Sequence, residues 1–155
     1  MFDLPADSPA LLAGLALTAA AFLAVASSLP ARPAPDAAGV AGTVDELAAG
    51  ESPASASHRH DADAVRLDPH GLAMRNDGGT ARATFAFGPI TPVSADSPLR
   101  AVLRGTHPAA VFENATEFRQ AVVAARSENA EWERSTTVQI RGVSWDGYRV
   151  TLVGV

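Results

Sequence analysis

The chain has 155 residues, 12 basic and 17 acidic, for a net charge of −5; it holds no cysteine, and every basic residue is arginine. Those counts exclude disulfides, thiol catalysis and cysteine-bound zinc, and the acidic surplus leaves no basic footprint for nucleic acid. An acidic surface of this kind stays hydrated in strong salt, where long-range electrostatics is screened.

Residues 10–29, ALLAGLALTAAAFLAVASSL, carry no charge. Twenty helical residues rise about 30 Å, the thickness of a bilayer's hydrocarbon layer, so the run predicts an N-terminal transmembrane helix. The preceding MFDLPADSP has two aspartates and no basic residue, unlike a secretory signal, so the helix is expected to be retained. Ala10, Gly14 and Thr18 recur at four-residue intervals, as do Ala16, Ala20, Ala24 and Ser28. Small residues at that spacing let helices approach closely, which makes Gly14 a candidate for self-association.

Residues 30–57 read as a tether. Pro30, Pro33 and Pro35 end the first helix. Val40, Val44 and Leu47 then fall at helical spacing between a capping Asp36 and a closing Gly50, but Gly39 and Gly42 weaken the segment to a short, marginal helix. Glu51 to Ser57, ESPASAS, has the composition of a flexible linker.

The folded domain is expected over 58–155. Val65–Leu67 and Leu72–Arg75 read as strands around the turn residues Asp68-Pro69-His70-Gly71. Thr80 to Phe87 alternates, with Ala81, Ala83, Phe85 and Phe87 on one face. Leu99, Ala101 and Leu103 alternate with arginines and predict another strand, and Pro108 to Phe112 one helical turn. Asn114 followed by Glu117 gives a capping signal for a helix over Ala115 to Ser127, striped by Phe118, Ala121, Val122 and Ala125. Thr137 to Trp145 and Tyr148 to Val155 are strands joined by Asp146-Gly147. The class is α+β: an N-terminal transmembrane helix, then a small antiparallel sheet domain with one principal packed helix.

Chemistry-bearing residues are few. His58, His60, Asp61 and Asp63, in HRHDAD, form the one cluster with metal-ligand character, set against a solvated entry to the domain. Asn114-Ala115-Thr116 is a glycosylation sequon if the domain faces outside; the competing and favoured reading is a helix cap, which needs the same Asn114 side chain. Phe85, Phe87, Phe118, Trp145 and Tyr148 fit core positions, whereas Trp132, between Glu131 and Glu133, is the candidate contact residue. No nucleophile–base or paired-acid arrangement is visible, so no enzyme and no cofactor are expected.

The start MFDLP, the single apolar run, TVDELA, DADAVRL, RNDGGTARATFAFGPITPV, PLRAVLRG and VSWDGYRVTLV together resemble a group of uncharacterised haloarchaeal single-pass membrane proteins. The resemblance spans nearly the whole chain and implies a pilin-like plan associated with type IV pilus-like secretion machinery. It implies no catalytic residues. The expected function is a non-enzymatic, membrane-anchored structural or accessory component, with the C-terminal domain extracytoplasmic. Its partners would be the lipid bilayer, further copies and pilus or secretion components. The alternative is a membrane-tethered ligand- or metal-binding, sensor-like domain, using HRHDAD or the sheet face.

Overall fold

A computed structural model describes residues 9–28, 32–50 and 53–155. The acidic start, Pro30, and Glu51 and Ser52 of the expected linker lie outside these residues. The chain divides into two compact units, one holding the first helix and the other running from Pro33 to Val155.

Helix α1, Pro9–Ser28, covers 20 residues. The transmembrane assignment is overturned: among the described residues no helix is long and apolar enough to cross a membrane. Alanine is the commonest residue of α1 and adds almost nothing to transfer, while Gly14, Thr18, Ser27 and Ser28 dilute the leucines. The Thr18 hydroxyl turns back onto the carbonyls of Gly14 and Leu15, at 3.1 and 2.9 Å.

The second unit is α+β with antiparallel pairing, but it holds two sheets where one was expected. Strands β1 (Ser55–Arg59), β5 (Thr91–Pro92), β6 (Thr137–Trp145) and β7 (Tyr148–Gly154) make a sheet of order β1-β6-β7-β5, with β5 parallel to β7. Strands β2 (Ala64–Asp68), β3 (Gly71–Asn76) and β4 (Gly79–Thr84) form a separate meander. Asp146 and Gly147, at φ 51° and 71°, make the tight turn expected between β6 and β7.

Both faces of the larger sheet are covered. Alternation along the strands sends Val138, Ile140 and Val153 to one core and Val143, Val150 and Leu152 to the other. The first core is closed by α2 (Ala37–Ala49) and the inner face of the meander, through Val40, Val44, Val65, Leu72 and Met74. The second is closed by α3 (Leu99–Leu103) and α4 (Ala115–Ser127), where Phe118 is fully buried. Its ring centroid lies 5.5, 5.9 and 6.2 Å from those of Phe112, Trp145 and Tyr148.

Helix α2 has the expected caps, Asp36 accepting from the Gly39 amide and Gly50 at the end. It is not a marginal element of a tether, because Val40 and Val44 are completely buried. The compact unit therefore opens at Pro33, ahead of His58. Ser55 to Ser57 are likewise strand β1, held by backbone pairing to β6, rather than linker.

Two further expectations change. Leu99 to Leu103 is helical, since Ser97-Pro98 starts a helix: the Leu99 amide donates to Ser97 Oγ at 3.2 Å and the Arg100 amide to the Ser97 carbonyl at 2.9 Å. Leu99, Val102 and Leu103 bury while Ala101 is exposed, the helical period rather than the alternating one. Strand β4 shows the expected alternation but stops at Thr84. Asp45 Oδ1 accepts the amides of Ala86 and Phe87 at 2.9 and 3.0 Å, which draws them out of the ladder and leaves Phe87 56% exposed.

Candidate functional site

His58, in β1, and His60, just beyond it, are both half-buried. His58 Nδ1 lies 2.8 Å from the Thr43 hydroxyl of α2. The His60 amide donates to the Thr136 carbonyl at 3.1 Å and its Nδ1 accepts from the Ala62 amide at 3.3 Å. His60 Nε2 is buried with no hydrogen-bond partner among the described residues. Burial, and then the neighbouring His58, push the His60 ring below its ordinary pKa. Asp61 and Asp63 are exposed. Among the described residues no group of three His, Asp or Glu side chains is arranged to hold a metal ion. The histidines of HRHDAD instead fasten β1 to α2 and to the turn that opens β2.

Asn114 caps α4 through Oδ1, which accepts the Glu117 amide at 2.9 Å, and Glu117 Oε2 accepts the Glu113 amide at 2.8 Å in return. Asn114 is exposed, and its cap uses the oxygen rather than the amide nitrogen. Gly14 lies within α1, and a Cβ built there meets nothing within 4 Å.

Trp132 has intramolecular partners that sequence spacing does not reveal. The 131–133 segment lies antiparallel alongside β2, with paired backbone bonds of 2.8 Å between Val65 and Glu133. The indole faces the guanidiniums of Arg66 and Arg75, whose central carbons lie 5.4 and 4.5 Å from its ring centroid. Ala64 and Ala73 lie opposite Arg75 and Arg66 in the ladder; although they point outward, both are buried.

A cleft of about 500 Å³ runs between the end of α4, β5 and residues 128–133. Leu67, Val93 and Ala125 floor it, and Asp96, Glu128, Glu131 and Glu133 contribute carboxylates. Burial raises the Glu133 carboxyl above its ordinary pKa, against the opposing pull of Arg100. Arg100 Nη2 donates to the Val155 carbonyl at 2.6 Å, while its Nε and Nη1 are buried without partners among the described residues.

A family model described as a family of unknown function, DUF7283, matches residues 3–143, and the chain belongs to that family. No curated protein and no solved structure matches the chain.

Proposed function

We propose that this chain is a non-enzymatic, pilin-like structural or accessory component of a haloarchaeal pilus- or secretion-type assembly, joined to further copies through helix α1. The observation that carries the reading is the exposure of α1's large apolar side chains. Leu12, Leu15, Leu17, Phe22 and Leu23 are 62–77% exposed. At 3.6 residues per turn, Leu12 and Leu17 project about 140° apart, so a single flat partner cannot cover both. A helix apolar on several sides is at rest only when enclosed, and neighbouring copies of the same helix enclose it in a bundle.

On this reading the chain works at the cell membrane, retained there by its assembly partners, with the Pro33–Val155 unit on the extracytoplasmic side. The exposed sequon at Asn114 supports that side. Gly14, with the small residues Ala10 and Thr18 four positions away along the sequence, gives neighbouring helices room for close approach.

The absence of native cysteine makes the test direct. Gly14→Cys provides a single thiol per chain, and mild oxidation of an isolated filament or envelope fraction should give a disulfide-linked pair of copies. A chain that stays uncrosslinked and fractionates apart from any assembly would contradict the proposal.

A further inference from the structure

The outer face of the three-stranded sheet carries arginine on every strand. Register sets Arg66 opposite Ala73 and Ala73 opposite Arg82, so two guanidinium side chains flank one alanine on a common face. Among the described residues neither Arg66 nor Arg82 takes part in an ion pair, although the chain's net charge is −5. An acidic chain that leaves them unneutralised there presents a receptor for negative charge.

The ground between them is shaped as well as charged. A depression of about 370 Å³ is floored by Gly71 and Ala73 and rimmed by Arg66, Arg82, Asp68 and Thr84. Gly71 lets β3 lie close against β4, because a Cβ there would come within 2.6 Å of the Ala83 carbonyl oxygen. The Arg66 guanidinium lies over the Trp132 ring, its central carbon 5.4 Å from the centroid, and carries five N–H donors. Asp68 Oδ1 accepts the His70 amide at 2.8 Å, leaving its other carboxylate oxygen as an acceptor beside the arginines. Thr84 adds an exposed hydroxyl.

We propose that this depression binds an acidic sugar, with its carboxylate or sulfate bridging Arg66 and Arg82 and its hydroxyls bonded to Asp68 and Thr84. A bare anion would satisfy the guanidiniums and be repelled by Asp68. A neutral sugar would satisfy Asp68 and Thr84 and leave the guanidiniums unmatched. A ligand carrying both an oxyanion and hydroxyl donors complements all four of these side chains, with the exposed His70 beside them, and the volume admits a molecule of monosaccharide size. This site is independent of assembly through α1.

The test titrates the full chain with glucuronate, glucose 6-sulfate, glucose and acetate, followed by calorimetry and by Trp132 fluorescence in a Trp145→Phe background. Glucuronate or the sulfate ester should saturate with a Kd about tenfold or more below that of acetate or glucose, and whichever acid binds tighter identifies the charged group. Arg82→Gln, at an exposed side chain, should weaken that binding about tenfold with an unchanged circular dichroism spectrum. Asp68→Asn retains an oxygen for the His70 amide and should narrow the gap between glucuronate and acetate. The proposal is overturned if neither acidic sugar gives a saturable response, if acetate or glucose binds as tightly, or if folded Arg82→Gln titrates like the parent chain.

Discussion

The hydroxyl of Thr43 in α2 lies 2.8 Å from Nδ1 of His58 in β1. That bond joins a helix and a strand which the sequence presents as tether and domain entrance, and the burial of Val40 and Val44 beneath it makes α2 part of the first core.

A chain cut at His58 should therefore fail to fold cooperatively, while residues 33–155 should give a single thermal transition. Val44→Ala should cost about 2 kcal/mol in denaturant unfolding, as a buried truncation beside a packed core. A cooperative transition for 58–155 alone would show that α2 is dispensable.

Stability should fall as pH drops below about 6.5, the ordinary histidine value. His60 has a lowered pKa in the fold, so the unfolded chain binds its proton first and the histidine's contribution is present above that value and lost beneath it. Replacing His60 with Gln should flatten the acid limb of a plot of melting temperature against pH. An unaltered limb would assign the loss to other groups.

Glu133 has the opposite sign. Its raised pKa means that the ionised form is disfavoured in the fold, so its adverse effect grows as pH rises above about 4.5. Glu133→Gln should raise the melting temperature at pH 7 and change it little near pH 4. A loss at pH 7 would mean that the attraction of Arg100 outweighs burial.

Phe85 and Thr84 separate the two faces of the β4 edge. Phe85 is half-buried against the first core and Thr84 is exposed, so Phe85→Ala should cost about 2 kcal/mol and Thr84→Ala less than about 0.5. Asp45→Ala should cost about 1 kcal/mol by releasing the amides of Ala86 and Phe87, and Asp45→Asn should recover most of it. Equal losses for Phe85→Ala and Thr84→Ala would contradict the register.

The sequence reads well where local chemistry alone decides. Helix α4 starts and ends as its Asn114 cap and apolar stripe require, and Asp146-Gly147 makes the hairpin turn. It reads poorly where two periods coincide: Leu99 to Leu103 satisfies both, and Ser97-Pro98 resolves it as helix. Strand β1 has no apolar alternation to announce it, because an edge strand is held by backbone bonds to β6. The importance of α2 is hidden by Gly39 and Gly42, since tertiary burial overrides propensity. The Trp132 stack joins residues 66, 75 and 132, which only the fold brings together; its one visible trace is arginine at outward positions of successive strands. The apolar run 10–29 shows its helix plainly but not its shortfall for a membrane span, since alanine extends a helix without adding much transfer energy.

Assembly through α1 is tested most directly by sedimentation of the full chain beside residues 33–155, at micromolar concentration without detergent. The full chain should form a multimer of several copies, and removing α1 should reduce it to a monomer with an intact fold. A monomeric full chain, or a multimer of unchanged size without α1, would contradict it.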